Sequence, residues 1–337
     1  MVALPSASHR KIGARRQVVL HADDFGMNRA VTEGILRGFV DGLLTSTSVL
    51  ANAPEIDDAL SCWQKLHVHR SQSDLPSAAA RRRLDDGLMP FDFGVHLNLT
   101  QGRPITGDRF PAALLDSEGM FPGIGAMFRR LVFNPDKYAR AIDDEFSAQI
   151  EIVLDHRIAP THLNGHQYIE LLPGVGAVVM RLQARYAIPV VRVACESGLT
   201  RTTLIREFQV ANWCLAHVKR SFAGQFRRQA AQAHSLFPAA FFGTSHAGRI
   251  TLAKLRQFLA LAPTQGITEI GMHPGLPAGR DACSARDVRW ADPLAGLRPA
   301  ELNLLTSPEL IELFECCHVT LARLRELPAE RRLAVSA

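Results

Sequence analysis

No two cysteines of this chain stand at the CxxC spacing of a structural zinc site or a redox dithiol. The six lie at positions 62, 195, 214, 283, 316 and 317, which reads as reduced, partly buried thiols in a cytoplasmic protein. No stretch approaches the roughly 18 apolar residues of a membrane span. The first residues, MVALPSASHRKIGARR, lack the apolar run of ~7–15 residues at the heart of a secretory signal, so residues 1–16 are expected to form a flexible basic arm. Zinc-finger spacing and an aromatic-studded basic groove are both missing, which leaves nucleic acid out of the expected partners. Internal repeats and low-complexity tracts are missing too.

What is present is an ordinary globular composition: 337 residues, 47% hydrophobic and 21% charged, enough for a large core. The length fits two domains or one α/β barrel of ~250 residues with insertions. The formal charge of +5 is concentrated in short runs, at Arg10, Lys11, Arg15 and Arg16, at 81–83, and at Arg129–Arg130 and Arg227–Arg228. A mild basic excess favours phosphate or anionic lipid, although such runs are most often solvated faces.

Short apolar runs alternate with helical patterns. Residues 17–22, 46–51, 91–99, 161–166, 189–194, 239–243 and 267–273 read as strands. Residues 28–40, 52–63 and 138–154, a segment after Pro173, one from Leu252, and residues 307–325 read as helices. Ser307-Pro308-Glu309 supplies an N-cap and a first-turn proline for the last of these. Repeated β-then-α units predict a parallel sheet with helices around it. Three insertions interrupt it, at about 67–90, 100–135 and 203–233. The second follows the strand bearing His96 and is read as part of a cover over a site, with Phe110, Phe121 and Phe128 either stacking on a bound ligand or packing the loop onto the barrel.

The polar residues that stand out fall at strand ends. Asp23 and Asp24 follow the first strand, His96 lies near the end of the third, and His166 and His273 close two later ones. In a parallel α/β fold the strand C-termini open onto one face, so these five groups are expected to converge. Singly, each histidine reads equally as a hydrogen-bonded core residue, and the Asp pair as a helix cap. Together, a carboxylate with two imidazoles is a facial set for a divalent ion. Adjacent aspartates should point in different directions, one to the metal and one to its water, with a further titratable group such as His273 able to protonate a leaving amine.

The run Ala22-Asp23-Asp24-Phe25-Gly26 resembles the ADDFG signature of the YdjC-like family of carbohydrate deacetylases, also called the ChbG/HpnK family. So do Leu44–Ser48, Gly94–Thr100, Thr161–Gln167, Ile188–Arg192, Met272–Gly275 and Leu305–Glu309, in the right order over residues 17–325. The resemblance implies an irregular (β/α) barrel related to polysaccharide deacetylases. It implies hydrolysis of the acetamide on an N-acetylglucosamine-type unit, aided by one divalent metal ion, Mg²⁺ or Zn²⁺. It further implies Asp24, His96 and His166 as metal ligands, Asp23 as base, His273 as acid, and Arg192 as the residue that steadies the catalytic carboxylate. Asn98, Asn164 and Phe121 are the substrate-binding expectations. The family often has Asp at the place of Asn164 and histidines at Tyr168 and Glu170. Two other readings stand beside this one: a sugar-binding pseudoenzyme on the same barrel, and another metal-dependent hydrolase such as a phosphoesterase.

A single barrel domain over 17–328 with a short tail at 329–337 is the expected organisation. Leu204, Phe208, Ala211, Leu215, Val218, Phe222 and Phe226 form an apolar stripe at helical spacing in the third insertion. It either packs on the barrel or, flanked by Arg201, Arg206, Lys219, Arg220, Arg227 and Arg228, rests on an anionic membrane beside a lipid-linked sugar. A homodimer completes the partner expectations.

Overall fold

The structure is a computed structural model and describes residues 15–68, 91–196, 210–277 and 290–327. Most of the basic arm, most of the loop at 67–90, the start of the insertion at 203–233 and the tail at 329–337 lie outside these residues.

In chain order the elements are β1 (Arg16–Phe25), α1 (Arg29–Val40), β2 (Ser46–Val49), α2 (Ile56–Val68), β3 (Asp92–Leu97), α3 (Ile124–Leu131), α4 (Ala139–Asp155), β4 (His162–Gly165), α5 (Val175–Arg185), β5 (Val190–Val191), α6 (Val210–Gln232), β6 (Ala240–Phe242), α7 (Leu252–Leu261), β7 (Ile267–Met272), α8 (Arg298–Leu305), α9 (Pro308–Cys316) and β8 (Val319–Leu321). The strands form one parallel sheet in the order β5-β4-β3-β2-β1-β7-β6. Among the described residues its two ends meet through isolated bridges, Val190 to Leu236 and Glu196 to Phe241. The result is the parallel sheet with helices around it that the alternating pattern predicts, curled into the irregular α/β barrel that the resemblance implies.

Strand alternation sorts the side chains. On β1, Val18, Leu20 and Ala22 face outward into the large core under the helices, while Val19, His21 and Asp23 face the barrel interior. The interior changes character along the strands. Its lower end is an apolar plug of Val19, Val190, Leu236 and Ile267, closed by Leu324 and Leu327. Above the plug lie His21, His162 and Glu269, all fully buried. The strand C-termini carry Asp23, His96, Asn164 and Arg192.

Two expected elements are shorter than their sequence patterns. Of the segment 189–194 only Val190–Val191 forms a strand; the Arg192 N–H still donates to Leu163 O at 2.9 Å, and a tight turn follows in which the Cys195 N–H donates to Val193 O. The helix expected over 307–325 ends at Cys316. His318 takes a left-handed φ of 52°, and Val319–Leu321 then forms β8 on the lower half of β1. Ser307 does cap that helix, its side chain accepting from the Leu310 N–H. Among the described residues no helix is long and apolar enough to cross a membrane. Of the apolar stripe, the side chains from Leu204 to Val218 lie outside the described residues; Phe226 is buried, and Phe222, half-buried, meets Phe128 edge to face at 6.0 Å.

Candidate active site

β1 delivers two consecutive carboxylates to one place. Regular alternation would send them to opposite faces. Here the β1–β2 register slips between Ala22 and Phe25, and Asp24 adopts a left-handed φ of 71°. A non-glycine residue holds such a conformation only where its surroundings enforce it. Asp23 and Asp24 therefore both line a cavity of about 560 Å³ at the C-terminal mouth of the barrel, along with His96, His166 and His273.

Asp24 Oδ1 lies 3.0 Å from His166 Nδ1 and 3.4 Å from His96 Nε2. One donor atom from each of these three buried residues falls within 4.8 Å of the others. A carboxylate and two imidazoles this close could hold a divalent ion. His166 is set by two further left-handed residues, Gln167 and Tyr168, with φ of 54° and 62°, which turn the chain sharply after β4. Burial disfavours an imidazolium at both histidines. At His96 the carboxylates of Asp23 and Asp24 outweigh burial and raise its pKa, whereas at His166 burial wins and the pKa is lowered.

Asp23 has a different set of partners. Arg192 Nη1 donates to both of its oxygens at 2.8 Å. Asn164 Nδ2 donates to Oδ1 at 2.9 Å, and His21 Nε2 stands 3.1 Å from the same oxygen. Burial works against its charge, but Arg192 first, and then His96 and His21, hold the carboxyl well below the usual carboxylate range. Arg192 is anchored from behind by Glu269, its Nε donating at 2.8 Å. His273 Nε2 lies 3.8 Å from Asp23 Oδ2, too far for a direct hydrogen bond and the width of a gap that a water or a substrate atom can bridge.

None of the three expected substrate contacts, Asn98, Asn164 and Phe121, is among the residues that line the cavity; Asn164 is turned to Asp23. Asn98 is fully buried. Because β3 ends at Leu97, its side chain folds back and accepts from the Thr100 and Gln101 N–H groups. The wall position is taken instead by Gln101, whose Oε1 is 3.0 Å from His166 Nε2. Phe121 packs edge to face on Phe110 at 5.4 Å and is not among the lining residues, whereas Phe128, from α3 in the same insertion, is.

Of the other residues that shape the site, Glu301 and Arg298 carry no sequence signal, whereas His162 sits inside the run Thr161–Gln167. His162 fills the space left by the missing side chain of Gly94 and meets His21 edge-on at 4.9 Å. Glu301 accepts from the His273 N–H at 2.6 Å and the Ile250 N–H at 3.0 Å. Arg298 donates from Nη2 to Asp24 Oδ2 at 2.7 Å. It lies far from Asp24 in the sequence, and an arginine beside a proline in a first helical turn looks like a solvated surface residue.

The profile of the YdjC-like protein family matches residues 17–315. A carbohydrate deacetylase of Homo sapiens is 29% identical over 329 residues, covering 94% of this chain and 93% of its own length. One of Mus musculus is 30% identical over 308 residues, covering 88% and 90%. A carbohydrate deacetylase of Vibrio cholerae is 27% identical over 173 residues, about half of each chain. Among solved structures, an Enterococcus faecalis protein described as a cellobiose-phosphate cleavage protein superimposes with a TM-score of 0.65 over 92% of this chain and 98% of its own, at 19% identity. That likeness is one of fold.

Proposed function

The chain belongs to the YdjC-like family, and from that premise we propose that it is a carbohydrate deacetylase that hydrolyses the acetamide of an N-acetylated sugar, with one divalent ion at Asp24, His96 and His166. The observation that carries this reading is the division of labour between the two aspartates. Asp24 faces two histidines, while Asp23 is clamped by Arg192 and faces His273 across a gap of 3.8 Å. A binding protein needs no such pair.

A divalent ion at Asp24, His96 and His166 would supply Lewis acidity, polarising the acetamide carbonyl and making a water easier to deprotonate. The protein's own groups carry the proton. Asp23 accepts it from the attacking water. Arg192 first, then His96 and His21, hold its pKa low against burial and keep it ionised. His273 donates a proton to the sugar nitrogen as the C–N bond breaks, leaving acetate and a free amine. The apolar wall of Met27, Ile124, Phe128, Leu171 and Phe222 excludes water from the rest of the cavity and offers faces to a pyranose ring and to the acetyl methyl.

The test is acetate and amine release from a panel of sugars bearing N-acetylglucosamine, with added Zn²⁺ or Mg²⁺ and with chelator. Release that needs the metal supports the proposal, and no release from any sugar with metal present sinks it. Asp23→Asn should lower turnover by about 10²- to 10⁴-fold, the usual contribution of a general base. It should leave metal binding, followed by calorimetry, within a few-fold of the parent.

A further inference from the structure

Each aspartate of the pair is held by its own buried arginine. Arg192 on Asp23 follows directly on β5, whereas Arg298 on Asp24 belongs to the first turn of α8. Arg298 is 2% exposed. Its Nη2 donates to Asp24 Oδ2 at 2.7 Å, and the other oxygen, Oδ1, is the one turned toward His96 and His166. Arg298 thereby decides which carboxylate oxygen faces the two imidazoles. The guanidinium is fixed on its far side by Asp292, which accepts from Nε at 2.7 Å and from Nη2 at 3.0 Å. Its methylenes pack on Gly275, where an added methyl would come within 2.9 Å of Cδ. One turn along the same helix, Glu301 holds the His273 N–H. The chain enters α8 through Asp292, Pro293 and Leu294, which themselves line the cavity.

We propose that Arg298 is a positioning residue for the metal site: it presents Asp24 Oδ1 to the ion and couples that ligand to the cavity wall at 291–294. The proposal rests on the reading of Asp24, His96 and His166 as metal ligands. Groups behind a metal ligand commonly change metal affinity or activity by about 10- to 100-fold when removed. Arg298 has the geometry for an effect of that size, because Asp24 without it is free to rotate or to offer either oxygen. Lysine restores the charge but not the planar fork that joins Asp24 to Asp292.

The experiment titrates the metal-free full-length protein with Zn²⁺ by calorimetry, comparing parent, Arg298→Gln, Arg298→Lys and Glu301→Gln, each checked for folding by circular dichroism. The expected result is a loss of Zn²⁺ affinity of about 10- to 100-fold in Arg298→Gln and an intermediate loss in Arg298→Lys. Glu301→Gln, which loosens α8 without touching Asp24, should lose less affinity than either. Folded Arg298→Gln with parental affinity overturns the proposal, and so does an equal loss in Glu301→Gln, which would mean that any loosening of the helix suffices. If Arg298→Gln does not fold, Arg298→Lys decides: reduced affinity supports the assignment and parental affinity overturns it. A parent protein that binds no Zn²⁺ would instead remove the metal-site reading itself.

Discussion

Asn164 puts an amide where a carboxylate would compete with Asp23 for a proton. Its Nδ2 donates to Asp23 Oδ1 at 2.9 Å, so Asn164→Asp would place a second carboxylate against the base. Two such groups cannot both ionise easily, and the pair's upper pKa rises. The acid limb of the kcat/KM profile should therefore move to higher pH, with activity above that limb retained. A limb that stays in place would show that Asn164 does not contact the base in solution. Glu170 is a second residue whose environment makes a definite prediction. Neither of its carboxylate oxygens finds a partner among the described residues, and burial raises its pKa from 4.5 to about 7. The sign follows from proton uptake. Between these values the folded state holds a proton that the unfolded state has released, so stability falls as pH rises from about 4.5 to about 7 and is level beyond. Glu170→Gln should be more stable than the parent at pH 8, by roughly 3 kcal/mol at 1.36 kcal/mol per pKa unit, and close to it at pH 4.5. Urea denaturation at the two pH values measures this, and a gain of the same size at both would point to packing instead. The catalytic candidates at strand ends are legible in the sequence because ending an apolar strand in Asp-Asp or His sacrifices burial. Arg298, Glu301 and His21 are not legible, since what makes them matter is a partner in another element.

At the level of elements, the sequence pattern is faithful where burial is one-sided and regular. The segments 28–40 and 138–154 carry helical periodicity and become α1 and α4. It misleads where local conformation overrides periodicity. A left-handed His318 cuts the last helix and frees three residues for β8. The insertion at 100–135, where the pattern offers no helix, contains α3 with Ile124, Gly125 and Phe128 on the cavity wall. Close approach between elements is equally invisible in sequence. Gly34 on α1 sits directly on the backbone of Gly275, and the Leu276 N–H donates to Ala30 O at 2.9 Å. Gly34→Ala would push α1 off the loop that follows His273, where neither side has a flexible side chain to move. Overpacking of this kind costs about 1–3 kcal/mol, and displacement of His273 should lower kcat as well. The contrasting substitution is Gly224→Ala on α6, whose nearest contact would be the Arg228 side chain at 3.9 Å. It should stabilise by about 0.5–1 kcal/mol through helix propensity. Thermal unfolding of the two variants should move in opposite directions, and a Gly34→Ala protein as stable as the parent would contradict the contact.

Across the whole molecule, the fold brings residues from the two ends of the chain to one point. Asp24 comes from β1, His96 from β3, His166 from the turn after β4, and Arg298 from α8. The barrel's lower end can be an apolar plug because its polar groups are gathered at the upper end. There the buried carboxylates of Asp23, Asp24 and Glu269 are balanced by Arg192 and Arg298. The class of fold is legible in the sequence because βα alternation is a property of the whole chain, whereas the closure of the sheet through two isolated bridges leaves no local trace. An ion held at Asp24, His96 and His166 would cross-link segments 142 residues apart in the folded state only, the separation from Asp24 to His166 in the sequence. Binding that is confined to the native state stabilises it by mass action, about 2.7 kcal/mol at a free concentration 100 times Kd. For a protein of this size that corresponds to a rise in Tm of a few degrees. Adding Zn²⁺ to the metal-free protein should raise Tm by that amount, and chelator should reverse it. His96→Ala should lose the increment while the metal-free Tm changes by less. A Tm that is indifferent to Zn²⁺, Mn²⁺ and Mg²⁺ at millimolar concentration would show that the three side chains converge for a reason other than a metal ion.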